Sequence, residues 1–368
     1  MDVSIIVPLY KGKTYIARII KMICENQNVM LENQMIKDIE VIFINDYPDE
    51  EIKDINFVND CNISLRLYTN EDNLGIHKSR LRGLSKANGQ YIVFLDQDDE
   101  IRSYYLYRQF NSIGQADAVL CNGICRNNKR IYKDIIEQKQ AVTKKNYISH
   151  GNMITSPGQI MLRRDAIPVI WKDYVLQENG SDDVFLWTLM LCQGKKFALN
   201  TNVDYVHKED GNNTSLNFAN MKKSVEELLR VVKDEKILDT DNLMMFTEMI
   251  QGRIHKYDCY INVLENWPYV IENVISVISK NRFQRIAVYG YGIIGKKLLK
   301  DLEKANIAIE CVIDRSARNF ENANYRIYEP DNLPEGIELI IITAIFDEKK
   351  VREKLKKFDL KAISLVKF

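Results

Sequence analysis

The N-terminal part of the chain has the hydrophobic pattern of short buried strands that alternate with amphipathic helices. Four apolar runs have the length of strands, and two stretches between them repeat large aliphatic residues at helical spacing. The predicted strands are Val3–Tyr10, Ile39–Asp46, Leu65–Tyr68 and Tyr91–Leu95, and the predicted helices are Thr14–Glu25 and Ile76–Lys86. This alternation predicts an α/β fold with a parallel sheet.

Three carboxylates within four residues follow the fourth predicted strand: Asp96, Asp98 and Asp99. Buried carboxylates are costly unless they are paired or bound to a metal. Mg²⁺ in proteins commonly takes one or two carboxylates together with substrate phosphates. Because the carboxyl ends of parallel strands lie along one edge of a sheet, we expect Asp46 and Asp96 to face one crevice. The pattern predicts a metal–diphosphate site there; an acidic turn is the alternative.

The order and spacing of the motifs over about residues 1–215 resemble those of family-2 glycosyltransferases, which have the GT-A fold. The matching segments are Val3–Tyr10, Val41–Asp46, Asn73–Gly75, Arg80, Gly83, Gly89–Asp99, Ser181–Trp187, Tyr205–His207 and Gly211–Ser215. The resemblance implies an inverting, metal-dependent transfer of a sugar from a nucleotide-diphosphate donor, UDP being expected. It also implies a glycan or lipid-linked acceptor and a setting in cell-surface polysaccharide synthesis.

The resemblance assigns the donor nucleotide to one group of residues. Pro8 and Tyr10 would line the base and ribose pocket, and Asp46 would accept a hydrogen bond from the base. Arg80 would face the nucleotide end of the site, and Asp96 would lie beside it. Lys11, Tyr47–Pro48 and Leu81 depart from the family pattern, which leaves the identity of the nucleotide open.

The resemblance also assigns the metal and the chemistry. Asp96 and Asp98 match the Asp-x-Asp motif that holds Mn²⁺ or Mg²⁺, with Asp98 as the direct ligand. His207 falls where a late histidine meets the metal or the diphosphate. Asp183 aligns with the general base, and Asp182 is the second catalytic candidate.

Each of these residues has a structural alternative. Asp46 could belong to a turn or a helix start, because Asn-Asp-Tyr-Pro-Asp is strong turn chemistry. Arg80 could be a solvated helix residue, and His207 a satisfied structural histidine. Asp182 and Asp183 could be the N-cap and first-turn acid of a helix over Val184–Gln193, a role that is compatible with catalysis.

A second motif lies near the C-terminus, where a strand runs into Gly-x-Gly-x-x-Gly at Gly290, Gly292 and Gly295. A helix and a second strand follow, and that strand ends at Asp314. This is the dinucleotide-binding fingerprint in its required context, with the glycines at a pyrophosphate and Asp314 at a ribose hydroxyl. We predict a small Rossmann-like domain with NAD as a possible ligand; an interaction or acceptor-presenting module is the alternative.

These patterns predict three parts: a GT-A domain over residues 1–217, a helical linker over 218–281 and a Rossmann-like domain over 282–368. The linker has helical stripes of apolar residues, so a homo-oligomer is possible. The competing function is a catalytically inactive nucleotide- or NAD-binding scaffold built on the last domain. Three carboxylates retained at strand ends speak against it.

Composition limits the partners. Fifty-one basic and 51 acidic residues cancel, which argues against broad binding to nucleic acid or to an anionic membrane, although a local patch remains open. The sequence has no apolar run long enough for a membrane span and no signal peptide. Seven scattered cysteines do not suggest a disulfide framework. We therefore expect a cytoplasmic protein, with peripheral attachment to the inner face of the membrane as an open possibility.

Overall fold

The computed structural model describes residues 1–52, 61–125, 128–208, 216–315, 317, 324–358 and 360–365. The chain divides into two compact units, Met1–Ile254 and His255–Phe368. Among the described residues, no helix combines the length and the apolar character that a membrane crossing requires.

The first unit is built on one mixed sheet. Its strands are β1 (Val3–Leu9), β2 (Ile39–Asn45), β3 (Ser64–Thr69), β4 (Tyr91–Phe94), β5 (Glu100–Ile101), β6 (Ala118–Cys125), β7 (Lys129–Arg130), β8 (Ile160–Arg163) and β9 (Phe197–Val206). Its helices are α1 (Ile16–Glu32), α2 (Ile76–Lys86), α3 (Tyr105–Ile113), α4 (Ile135–Ala141), α5 (Lys144–His150), α6 (Val169–Asp173), α7 (Asp182–Cys192), α8 (Phe218–Asp234) and the start of α9 (Thr240–Glu265).

The sheet has the order β3-β2-β1-β4-β8-β6-β9-β5, and β7 pairs with β6. The four predicted strands are parallel to one another, and β8 is antiparallel to both β4 and β6. Since β9 is parallel to β6, the carboxyl ends of β1, β2, β4 and β9 lie at one edge. Every residue of β1 and β2 is buried, as expected for central strands covered on both faces.

A disulfide joins Cys24 of α1 to Cys61, with the Cα atoms 5.6 Å apart. The cysteine pattern gave no sign of it. The two residues are 37 positions apart, and they meet only because α1 packs on the sheet. A pairing of this kind depends on the tertiary fold, so the number and spacing of cysteines do not reveal it.

The second unit has a smaller sheet of five parallel strands. They are β10 (Ile286–Tyr289), β11 (Cys311–Ile313), β12 (Ile327–Tyr328), β13 (Leu339–Ile342) and β14 (Lys361–Ser364), and the helices are α10 (Trp267–Asn281), α11 (Ile293–Lys304) and α12 (Glu348–Leu355).

The strand order β12-β11-β10-β13-β14 is the order 3-2-1-4-5 of doubly wound nucleotide-binding sheets. Residues of α10 and α11 pack on one face, and Val351 and Leu355 of α12 pack on the other. The last strand was predicted over Ala362–Val366, and in the structure this strand is β14, Lys361–Ser364. Val366 lies outside the described residues. The predicted helices over 218–281 are α8, α9 and α10, but the three-part division stays a prediction.

Candidate active site

A cleft of about 820 Å³ opens at the carboxyl edge of the first sheet. Every described residue that the sequence assigned to the donor, the metal or the base lines it: Pro8, Tyr10, Asp46, Arg80, Asp96, Asp98, Asp182, Asp183 and His207. They come from the ends of β1, β2, β4 and β9 and from the starts of α2 and α7. The predicted segment Gly211–Ser215 lies outside the described residues.

Asp46 is buried at the end of β2 and organises the floor of the cleft. Its carboxylate accepts hydrogen bonds from the Asn70 side chain at 2.6 Å, from the Leu74 amide at 2.8 Å and from the Gly75 amide at 2.8 Å. These bonds fix the turn that leads into α2. A carboxylate has about four lone-pair positions, so Asp46 can accept one more donor, such as the N–H of a base.

Arg80 is 4% exposed, so the alternative of a solvated helix residue is wrong. Its guanidinium donates to Asp96 Oδ1 at 2.5 Å and to Asp182 Oδ2 at 2.5 Å. Burial opposes its charge, but Asp182 and Asp96 outweigh burial and raise the pKa of Arg80. Arg80 therefore ties the metal motif to the start of α7, which sequence reasoning did not foresee.

Asp182 and Asp183 both occupy the first turn of α7, which begins at Asp182; the N-cap is Ser181, so Asp182 is not the cap that the structural alternative proposed. Asp182 is 3% exposed and is held by Arg80, whereas Asp183 is partly exposed to the cleft. Burial, and then the neighbouring charge of Asp182, raise the pKa of Asp183 to about 7. A carboxylate with that pKa has the basicity of a general base near neutral pH. The position of Asp183 at the helix start is therefore compatible with the predicted catalytic role, which stays a prediction.

Asp99 is the main residue of the site that sequence reasoning missed. It is 1% exposed, and its Oδ1 accepts hydrogen bonds from His207 Nδ1 at 3.0 Å and from the Lys208 amide at 3.0 Å. Its Oδ2 accepts from Ser156 Oγ at 3.0 Å and from the Tyr205 hydroxyl. The third acid of Asp-Gln-Asp-Asp was the available signal, but its partners lie 57 to 109 positions away.

The bond to Asp99 fixes which nitrogen of His207 faces away from that carboxylate. Burial lowers the pKa of His207, but the hydrogen bond to Asp99 and the charges of Asp99, Asp98 and Asp96 outweigh burial and raise it. A histidine whose Nδ1 is held by a carboxylate presents Nε2, which is the usual arrangement of a metal-binding histidine.

The side chains of the cleft offer only part of a coordination shell for Mg²⁺ or Mn²⁺. Among the described residues, no group of three or more His, Cys, Asp and Glu side chains is arranged to hold a metal alone. Asp96 already accepts from Arg80 and, at 3.1 Å, from Ser156 Oγ. Asp98 and His207 line the same cleft, and their oxygen and nitrogen donors are of the kind such an ion accepts when phosphate oxygens and water complete its shell.

The loop that carries the carboxylates is held from two sides. Gln97 accepts from the Tyr10 amide at 2.9 Å and donates to the Tyr10 carbonyl at 3.1 Å, which joins the ends of β4 and β1. Arg18 of α1 donates to the carbonyls of Gln97 and Asp98 at 2.8 and 3.0 Å. The Asp-x-Asp backbone is therefore fixed before any ligand binds.

Helix α8 also contributes to this cleft. Met221 lines it, and the Asn220 side chain donates to the Asn179 carbonyl at 2.7 Å. Glu227 accepts from the amides of Gln177 and Glu178 at 2.9 to 3.1 Å. The segment predicted as a linker thus supplies part of the wall of the site.

The glycine loop of the second unit has the expected local geometry. Gly290 has a φ of +106°, and a Cβ on Gly295 would lie 1.9 Å from the Gly290 carbonyl oxygen, so both positions require glycine. A Cβ on Gly292 would meet nothing within 4 Å. The Asp314 carboxylate accepts from the Tyr291 amide at 2.8 Å. The glycines fit a dinucleotide, but Asp314 is engaged by the loop itself, and NAD binding stays a prediction.

Comparisons with known proteins agree with the geometry of the first unit. The family model described as Glycosyl transferase family 2 matches residues 4–171. An uncharacterized glycosyltransferase of Haemophilus influenzae is 35% identical over 123 residues, which are 33% of this chain and 46% of the relative. The putative glycosyltransferase EpsH of Bacillus subtilis is 28% identical over 150 residues, which are 40% of this chain and 41% of EpsH. The chain thus spans less than half the length of these two relatives.

A longer match is the GalNAc(5)-diNAcBac-PP-undecaprenol beta-1,3-glucosyltransferase of Campylobacter jejuni, 21% identical over 77% of this chain and 96% of the relative. The crystal structure of S. aureus TarS 1-349 superposes with a TM-score of 0.50 at 16% identity, over 74% of this chain and 78% of that one. This likeness confirms the GT-A fold. Residues 4–171 of this chain are therefore similar to glycosyl transferase family 2.

Proposed function

We propose that this protein is an inverting, metal-dependent glycosyltransferase that uses a nucleotide-diphosphate sugar, with UDP as the nucleotide. The observation that carries the proposal is the convergence of Asp46, Arg80, Asp98, Asp183 and His207 in one cleft at the carboxyl edge of the sheet. Ligand sites of open α/β sheets lie at this edge.

The nucleotide base would occupy the end of the cleft beside β1 and β2. Tyr10 is 48% exposed there and forms an edge-to-face pair with Tyr47 at 5.3 Å. Lys11 lies 5.6 Å from the Tyr10 ring and 5.1 Å from the Tyr47 ring. The exposed Tyr10 ring, supported by the half-buried Tyr47, would offer a stacking surface to a planar base, and Pro8 and Asp46 line the same cleft.

Asp98 and His207 would hold the cation, and Asp96 would support them through its bonds to Arg80 and Ser156. When bound, the cation would offset the negative charge that develops on the diphosphate as the sugar leaves. Loop residues that are already fixed by Arg18 and Gln97 would hold the Asp98 side chain in place for this task.

Asp183 would take the proton of the acceptor hydroxyl as its oxygen attacks the anomeric carbon. A new C–O bond forms, the bond from that carbon to the diphosphate breaks, and the electron pair stays on the leaving oxygen. A single displacement of this kind inverts the anomeric configuration. NMR of the product would check this, and a product with retained configuration would refute the mechanism.

The acceptor would be a glycan or a lipid-linked glycan in cell-surface polysaccharide synthesis. The Campylobacter jejuni relative, which aligns with 77% of this chain, has a lipid-linked acceptor in its name.

A cytoplasmic location stays a prediction, and the Cys24–Cys61 disulfide weighs against it because disulfides are rare in reducing compartments.

Calorimetric titration of UDP with and without Mn²⁺, with NAD titrated in parallel, tests the proposal. We expect Mn²⁺-dependent UDP binding that Asp98→Asn weakens about 100-fold, since a hard cation loses the negative charge of a carboxylate ligand. Asp234→Asn, at an exposed position of α8, is the control. Unchanged Mn²⁺-dependent affinity in Asp98→Asn would refute the metal assignment. Binding of NAD alone would favour the inactive scaffold.

A further inference from the structure

A basic surface with two exposed isoleucines lies on β7 and α4 of the first unit. Ile135 and Ile136 are 56% and 67% exposed, and the surrounding basic side chains are exposed as well. We define the β7–α4 surface by six residues: Lys129, Arg130, Lys133, Ile135, Ile136 and Lys139. Single exposed apolar residues are common on proteins, but two adjacent ones on a segment that also exposes four cations are a stronger feature.

The charge of this segment differs from that of the chain. Residues 129–145 contain six Lys and Arg but only two acids, whereas the whole sequence is neutral. The two acids are Asp134 and Glu137, and both are used in capping α4: Asp134 accepts from the Glu137 amide at 2.8 Å, and Glu137 accepts from the Lys133 amide at 2.8 Å. The four cations of the β7–α4 surface outnumber these two acids, so the surface carries a net positive charge.

Helix α4 is fixed with its isoleucines outward. The buried Gln138 donates to the carbonyls of Leu120 and Asn200 at 2.9 Å, which anchors the inner side of the helix to β6 and β9. Lys139 follows Ile135 and Ile136 at the spacings i+4 and i+3, so it shares their face. The apolar pair cannot turn inward without loss of the Gln138 bonds.

The β7–α4 surface is also close to the cleft. Arg130 pairs with Ile124 of β6, and the Ile124 carbonyl accepts from the His207 amide at 2.8 Å. The Tyr132 hydroxyl donates at 3.0 Å to the carbonyl of Met153, two positions before Thr155 in the cleft wall. The surface and the cleft are thus built on the same edge of the sheet.

We propose that the β7–α4 surface docks the protein on an anionic lipid membrane beside the opening of the cleft. Cations attract anionic headgroups, and two isoleucines can insert at the boundary between headgroups and acyl chains. A nucleic acid would match the cations but would leave the isoleucines exposed to water. The inference stands apart from the proposed reaction, because docking needs neither donor nor acceptor.

Co-sedimentation of the full-length protein with vesicles tests the proposal. We expect binding to mixed phosphatidylglycerol–phosphatidylcholine vesicles at low salt, and far less binding to pure phosphatidylcholine or at high salt. One basic residue near an anionic surface is worth about fivefold in partitioning, so a triple Lys129→Gln, Arg130→Gln, Lys133→Gln variant should lose about 100-fold. The double variant Ile135→Ser, Ile136→Ser should lose about tenfold.

Matched controls separate this surface from general charge and apolarity. Lys300→Gln, Lys349→Gln and Lys354→Gln change three exposed lysines of the second unit, and Ile36→Ser changes an isoleucine that is 81% exposed. Both control variants should bind vesicles like the parent protein. Equal binding by the parent and the test variants, or no binding by the parent, would overturn the proposal. So would an RNA oligonucleotide that displaces the parent from vesicles and loses affinity only with the charge variant.

Discussion

The two sheets of this protein both end in a motif that indicates a nucleotide, but their loops differ in how the polar groups are used. In the first unit, charged groups from distant segments meet in one cleft, where Arg80 holds Asp96 and Asp182. In the second unit, Tyr291 bonds to Asp314, and Thr343 bonds to the Gly290 carbonyl, so the loop binds itself. A sequence motif indicates the conformation of one loop. A ligand site also requires polar groups from several segments that meet in one cleft.

The convergence has an electrostatic cost that a ligand would relieve. Six carboxylates line the cleft: Asp46, Asp96, Asp98, Asp99, Asp182 and Asp183. Burial is the largest cause of the raised pKa of Asp96 and of Asp183, and neighbouring carboxylates add to it. A divalent cation beside them would stabilise the ionised forms.

Replacement of the predicted base should have the largest effect on the first region. Asp183→Asn is expected to lower kcat about 1000-fold, because the acceptor hydroxyl loses its proton acceptor. Affinity for UDP with Mn²⁺ should not change, since Asp183 is assigned to neither. At pH 8 the variant should be as stable as the parent or more so, because it removes a carboxylate whose raised pKa makes ionisation costly. Parent-like kcat would eliminate Asp183 as the base.

The ion pairs of Arg80 should matter next, because they join the two halves of the cleft. Arg80→Lys keeps the charge but cannot bridge Asp96 and Asp182 in the same way, and we expect a loss of about 2 kcal/mol in the free energy of unfolding. Arg82→Lys, on the same helix but bonded to the Thr69 carbonyl, should lose less than about 0.5 kcal/mol. Urea unfolding measures the stability of both variants. If the two variants lose equal free energy of unfolding, the bridge from Arg80 to Asp96 and Asp182 does not stabilise the fold more than an ordinary hydrogen bond of this helix.

The strands and the shared edge could be predicted because they follow from local patterns. A buried parallel strand has an apolar run, and the ends of such strands must meet at one edge. Asp46 and Asp98 reached the cleft for this reason, whereas Asp183 lies at the start of α7 and was assigned to the site by the family resemblance. Their partners could not be predicted in the same way. The bond between Asp99 and His207 spans 108 positions, and no local pattern reports a contact of that separation.

The same limit applies to Arg80 and Cys24. In the sequence, Arg80 has the features of a surface residue of an amphipathic helix, and only the fold brings Asp96 and Asp182 to its guanidinium. Cys24 meets Cys61 for a similar reason. Periodicity predicts which face of an element is buried, but it does not predict which charged groups share that burial.

The pH dependence of the reaction should report the environment of Asp183. Burial, and then Asp182, raise its pKa to about 7, and the base acts only when it is ionised. We therefore expect kcat to rise with pH and to level off above about pH 7, with about a tenfold loss one unit below the midpoint. Asp182→Asn removes the raising charge and should move the midpoint to lower pH. A midpoint that does not move would assign the titration to another group.

The smallest effect is expected in the second region, and it tests whether the glycine loop has a ligand. Gly292→Ala should change the free energy of unfolding by less than about 0.5 kcal/mol, because its φ of −78° suits alanine and nothing lies within 4 Å of the new Cβ. Gly295→Ala is the destabilising control, since its Cβ would clash with the Gly290 carbonyl. If the protein binds NAD, Gly292→Ala should weaken that binding while stability stays the same, because a glycine that the fold does not require then serves the approach of a pyrophosphate. If the variant and the parent bind NAD with equal affinity, the pyrophosphate does not lie against Gly292.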